Sequence, residues 1–139
     1  MNNSKIMIVE DDAISALLMR KWLAKSAHVH HCATPDAFQQ TVLDLNPDII
    51  LMDINLGRDE DGFDLVTWYR SQQGKAQVIF ISSYETAEIL SRIYACGGND
   101  YILKPPSLEV LENKIRHALE WSAMDAICPI SPRDEDSEA

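Results

Sequence analysis

Pro47-Asp48-Ile49-Ile50-Leu51-Met52-Asp53 is the segment that most constrains the fold. Four consecutive apolar residues lead straight into a carboxylate. An unbroken apolar run of that length, opened by a proline, reads as a strand buried on both faces, with Asp53 at its carboxyl end. In open α/β sheets that edge is where ligands and chemistry collect. A second run, Ile6-Met7-Ile8-Val9, leads into Glu10-Asp11-Asp12 in the same way. Two parallel strands tipped with carboxylates imply a shared anionic pocket, and such a pocket needs a cation.

Working outward from these runs, strands and helices alternate. Lys5 to Val9 is the first strand. Asp12 caps a helix from Ala13 to about Ser26, whose inward face is expected to carry Ile14, Leu17 and Leu18, with Trp22 at its margin. Val29 to Ala33 is a short second strand. Thr34 caps the next helix, with Pro35 at its first position. After the third strand, the polar segment Asn55-Leu56-Gly57-Arg58-Asp59-Glu60-Asp61-Gly62 is a loop, and Phe63 to Gln72 a helix. Gln77 to Ile81 is the fourth strand, followed by Ser82-Ser83. Thr86 to Cys96 is a helix stopped by Gly97-Gly98. Asp100 to Leu103 is the fifth strand. In the last helix Leu108, Leu111, Ile115, Ala118 and Leu119 share one face. Because crossovers between parallel strands are right-handed, the helices must cover both faces. The fold class is α/β: a doubly wound, five-stranded parallel sheet with five helices.

The bulk properties narrow the function. A length of 139 residues with 46% apolar content suits one domain with one core. The domain is expected over residues 1–124. Pro129, Pro132 and Asp134-Glu135-Asp136-Ser137-Glu138 make residues 125–139 an acidic tail or the start of a linker. No apolar run is long enough to cross a bilayer, and the first residues lack the apolar core of a signal peptide, so no membrane partner and a cytoplasmic location are expected. A net charge of −10 argues against nucleic acid as a direct partner. Cys32, Cys96 and Cys128 are widely spaced and read as reduced thiols. His28, His30 and His31 beside Cys32 invite a metal-site reading. No second ligand cluster accompanies them, and a strand is the plainer account.

The expected sheet places Glu10, Asp11, Asp53, Ser82 and Lys104 on one edge. Together with Ile8-Val9-Glu10-Asp11-Asp12, Asp61-Gly62-Phe63, Val78-Ile79-Phe80-Ile81-Ser82-Ser83 and Asp100-Tyr101-Ile102-Leu103-Lys104-Pro105, this order of motifs resembles the receiver domain of response regulators in two-component signalling, over residues 4–122. The resemblance implies a flavodoxin-like strand order of 2-1-3-4-5. It implies Asp53 as phosphoacceptor, taking its phosphoryl group from a sensor histidine kinase or a histidine phosphotransfer protein. Mg2+ is the implied cofactor, held by Glu10, Asp11, Asp53 and the backbone carbonyl of Asn55. The chemistry agrees: each pair of like charges at ~4 Å costs about 4 kcal/mol at an effective dielectric of ~20, and a divalent ion offsets that repulsion. Lys104 and Ser82 are the implied partners of the phosphoryl oxygens. Ser82 and Tyr101 form the implied switch, which would alter the face made by the fourth helix, fifth strand and fifth helix toward a downstream effector or a second copy. A cis bond before Pro105 is also implied.

Taken singly, these residues have plainer readings: Asp11 and Asp12 as helix caps, Ser82 as a strand-end hydroxyl bonded to nearby backbone, Tyr101 as packing, Lys104 as a solvated charge. Their joint placement carries the argument. Glu10 stands where the family commonly has aspartate, Ser82 where it has threonine, and Ser83 where it prefers alanine. Gly57 lies where most members have proline, in a loop one residue longer. Two rival functions stand beside this reading. One is a metal-dependent phosphohydrolase with an aspartyl-phosphate intermediate, disfavoured because Asn55 stands where turnover needs an acid. The other is a pseudo-receiver that binds partners without phosphorylation, disfavoured by the intact site.

Overall fold

The run at 49–53 folds as a strand in which every residue is buried. A computed structural model describes residues 3–57 and 61–127, with side chains to residue 123. In chain order the elements are β1 (Lys5–Val9), α1 (Ala13–Leu23), β2 (His28–Cys32), α2 (Pro35–Leu45), β3 (Ile49–Asp53), α3 (Asp61–Ser71), β4 (Gln77–Ser82), α4 (Ala87–Ala95), β5 (Asp100–Leu103) and α5 (Leu108–Ile127). All strands pair in parallel, in the order β2-β1-β3-β4-β5.

Alternation along the central strands divides the core in two. Met7, Val9, Ile50, Met52, Val78 and Phe80 point to one face, where Phe38 of α2, Val66 of α3 and Ile93 of α4 cover them. Ile6, Ile8, Ile49, Leu51, Ile79 and Ile81 point to the other, under Met19 and Leu23 of α1 and Leu111 and Ile115 of α5. Residues buried on both sides explain why β3 and β4 read as continuous apolar runs rather than as alternating ones.

Local chemistry starts and stops the helices. The Asp12 carboxylate accepts from the Ser15 N–H at 3.1 Å, and the Thr34 hydroxyl accepts from Ala37 N–H at 3.1 Å with Pro35 just inside the helix. Thr86 caps α4 in the same way. Gly97 ends it with φ +109°, a conformation that side chains disfavour.

The inward face of α1 differs from expectation. Ile14, Leu17 and Leu18 are exposed, at 72%, 50% and 46%, while Ala16, Met19 and Leu23 are buried. Both sets are spaced for a helix. Which set turns inward depends on how the Asp12 cap is seated on the end of β1, and that is a tertiary constraint. α1 also stops at Leu23, short of Ser26. α5 runs to Ile127, three residues into the segment read as a tail; the rest of that segment, residues 128–139, and loop residues 58–60 lie outside the described residues. No helix among the described residues is long and apolar enough to cross a membrane.

Candidate functional site: an acidic pocket on the carboxyl edge

β1 and β3 are neighbours in register, so their carboxyl ends deliver Glu10, Asp11 and Asp53 to one point. One carboxylate oxygen from each lies within 4.8 Å of the others. Glu10 and Asp53 are only 2% and 3% exposed, whereas Asp11 opens to solvent. Burial, and then the hydrogen bond and charge of neighbouring Asp53, push the Glu10 carboxyl up to about 8. Its Oε2 is buried with no hydrogen-bond partner. An orphaned carboxylate oxygen beside two further carboxylates fits a hard divalent cation with oxygen ligands. Among the described residues this is the one group of three or more His, Cys, Asp or Glu side chains placed to hold a metal. His28 and His30 lie exposed on edge strand β2 and join no such group.

Lys104, just beyond β5, supplies a positive charge. Its Nζ donates to Asp53 Oδ1 at 3.1 Å and lies 3.9 Å from Glu10 Oε1. Its backbone N–H donates to the Ser82 carbonyl at 2.7 Å, which ties it to the end of β4. The Lys104–Pro105 peptide bond is cis. Asp53 Oδ1 also faces the Asn55 N–H at 3.4 Å.

Ser82 is buried, and its hydroxyl is engaged away from Asp53. It donates to the Tyr84 carbonyl and accepts from the Tyr84 N–H at 3.0 Å. Tyr101 is half-buried, and its hydroxyl donates to Glu85 Oε2 at 3.1 Å. That hydrogen bond, and then the Glu85 charge, raise the phenol above its ordinary range. Both expected switch residues therefore hold the loop between β4 and α4. Clefts of about 180 Å³, lined by Asp53, Asn55, Ser82 and Tyr84, and about 310 Å³, lined by Glu10, Ser15, Lys104 and Pro106, open beside the site.

Two further residues shape the site. Gly62 N–H donates to the Ile54 carbonyl at 2.7 Å, and a Cβ at Gly62 would fall 2.3 Å from the Asp53 carbonyl oxygen. Glycine at 62 is thus a requirement for close backbone approach behind Asp53. His31 Nε2 lies 2.8 Å from the Glu10 carbonyl. The histidine cluster drew attention in the sequence for a different reason, and nothing local to it reveals this contact.

A doubly wound parallel sheet in the order 2-1-3-4-5, with three carboxylates and a lysine gathered on its carboxyl edge, defines the receiver class of signalling domain. The model of the response regulator receiver domain family matches residues 6–116, and the chain belongs to that family. It is 28% identical over 122 residues to regulatory protein AtoC of Escherichia coli (strain K12), covering 87% of this chain and 26% of that protein. Against transcriptional regulatory protein KdpE of Staphylococcus aureus (strain NCTC 8325 / PS 47) it is 33% identical over 117 residues, covering 81% of this chain and 48% of that protein. The chain thus spans about a quarter to a half of the length of these curated relatives. In fold it superposes with TM-score 0.81 on a CheY-like response regulator receiver domain protein from Methanospirillum hungatei JF-1, at 23% identity, covering 88% of this chain and 98% of that one.

Proposed function

We propose that this receiver domain accepts a phosphoryl group on Asp53 from a sensor histidine kinase or a histidine phosphotransfer protein in the cytoplasm. An Asp53 carboxylate oxygen attacks phosphorus, the bond from phosphorus to the donor imidazole nitrogen breaks, and the imidazole leaves with its electron pair. The product is an acyl phosphate. The observation that carries this reading is the pairing of buried Asp53 with Lys104 Nζ at 3.1 Å inside the carboxylate cluster. Phosphoryl transfer depends mainly on positioning and charge stabilisation, and these groups supply both.

Mg2+ is the cofactor, held by Glu10, Asp11, Asp53 and the Asn55 backbone carbonyl; when bound it neutralises the crowded carboxylates and the phosphoryl oxygens. Lys104 balances charge on the transferred group. Ser82 exchanges its bond to the Tyr84 carbonyl for one to a phosphoryl oxygen. Tyr101 then gives up Glu85, and the surface of α4, β5 and α5 changes toward a downstream effector or a second copy of the chain. The domain catalyses only its own phosphorylation and slow dephosphorylation.

Intact-mass analysis after incubation with acetyl phosphate and Mg2+ tests this. Wild type gains one acid-labile phosphoryl group, and Asp53→Asn gains none. Steady multiple turnover at an enzyme-like rate would favour a phosphohydrolase instead. A wild-type protein that takes up no phosphoryl group would be a pseudo-receiver.

A further inference from the structure

The Glu10 carbonyl sits where two strands run out together. The Glu10 N–H donates to the Cys32 carbonyl at 3.1 Å, continuing the ladder between β1 and β2 by one rung. β2 ends at Cys32, and the chain turns away toward the Thr34 cap of α2. Among the described residues, the group that meets the Glu10 carbonyl is a side chain: His31 Nε2, at 2.8 Å. His31 is in register with Ile8, whose side chain packs under α1. Paired residues of parallel strands share a face, so the half-buried His31 ring lies on the α1 side of the sheet. Opposite a carbonyl, Nε2 must be the donor; the neutral Nε2–H tautomer and the imidazolium both satisfy this.

We propose that His31 is a positioning residue for the cation pocket: its Nε2–H clamps the peptide that joins Glu10 to Asp11. The proposal rests on the reading of Glu10, Asp11 and Asp53 as the cation site. That one peptide carries both acidic side chains contributed by the end of β1. Glu10 is buried, so its carbonyl cannot recover full hydration if the imidazole is lost. The peptide would rotate to find another donor. A rotation there moves two of the three carboxylates that converge within 4.8 Å, while Asp53 stays fixed on β3. Partners that orient metal ligands without touching the metal typically control affinity by roughly 10–100-fold.

Calorimetric titration of the full chain with Mg2+ alone tests the clamp. His31→Phe keeps the bulk of a ring but no donor, His31→Ala removes both, and His31→Gln retains an N–H. Phe and Ala are expected to weaken Mg2+ binding by about tenfold, and Gln to stay within about threefold of wild type. Ile115→Val, a mild core lesion under α5, and His30→Phe, an exposed neighbour on β2, are expected to bind as wild type does. Those controls separate positioning from general destabilisation. Wild-type affinity in both His31→Phe and His31→Ala overturns the clamp, as does a Gln variant as weak as Phe. A folded wild type that binds no Mg2+ removes the cation site, and the clamp with it. A wild type that binds Mg2+ but takes up no phosphoryl group refutes only the phosphoacceptor reading.

Discussion

The two edges of the sheet treat polar groups in opposite ways. At the amino edge, Arg70, Asn99, Tyr69 and Asp48 find their partners within the fold. Arg70 Nε and Nη2 donate to the Gly97 carbonyl at 3.0 and 2.9 Å, Nη1 to the Gly74 carbonyl at 2.9 Å, and Nη2 also to Asn99 Oδ1 at 2.9 Å. Asn99 Oδ1 accepts again from the Val78 N–H, the Tyr69 hydroxyl accepts from Ala76 N–H, and Asp48 accepts from Lys5 N–H. At the carboxyl edge three carboxylates converge, Lys104 reaches two of them, Asp53 and Glu10, and one buried Glu10 oxygen has no partner. The first edge closes the structure. The second is electrostatically incomplete, and the packing beneath it holds it so. A site differs from a scaffold here by its unmatched charge.

Breaking the amino edge should cost stability and spare the site. Arg70→Ala removes a half-buried guanidinium and strips donors from two carbonyls and an amide oxygen. A loss of about 3 kcal/mol in urea unfolding is expected. Phosphoryl uptake at Asp53, measured well below the unfolding midpoint, should survive. If a folded Arg70→Ala protein loses it, the two edges are coupled.

Completing the carboxyl edge should have the converse effect. Mg2+ at about 100 times its Kd should raise unfolding free energy by ~2.7 kcal/mol. Arg70→Ala should show the same increment on its lower baseline. Asp11→Asn should lose most of it, because the exposed ligand is gone while the buried core is unchanged. Urea titrations with and without Mg2+ measure both.

The smallest effect is expected at Tyr101. Tyr101→Phe removes the hydroxyl that reaches Glu85 and leaves the ring on the Lys114 ammonium, 5.6 Å from its centroid. The unfolding midpoint should move by no more than about 1 °C. Amide exchange at residues 83–86 should accelerate, since one tie on that loop is cut. Unchanged exchange there would show that the Tyr101–Glu85 contact does not restrain the loop.

Much of this was legible in the chain. The run ending at Asp53 needed no context, because apolar continuity and a terminal carboxylate are local facts. The same holds for the caps at Asp12 and Thr34. The inward face of α1 is not legible, because Ile14, Leu17 and Leu18 form as good a helical stripe as the buried Ala16, Met19 and Leu23. Periodicity identifies a helix without fixing its rotation against the sheet. The hydroxyl of Ser82, expected to serve a phosphoryl oxygen once Asp53 is modified, is bonded to Tyr84 in the unmodified protein. A hydroxyl's partner depends on which acceptor the fold brings nearest. Gly62 and His31 act across distances in sequence that no local pattern spans.

The order of elements, the acidic ends of β1 and β3, and hence the edge on which chemistry collects can all be read along the chain. Strand type and strand ends follow from side chains adjacent along the chain. How far the carboxylates converge, the reach of Lys104 to Asp53, the packing of Gly62 behind it and the imidazole of an edge strand against the Glu10 carbonyl emerge only on folding. Those are contacts between distant residues, set by strand register and by the need of each buried polar group for a partner.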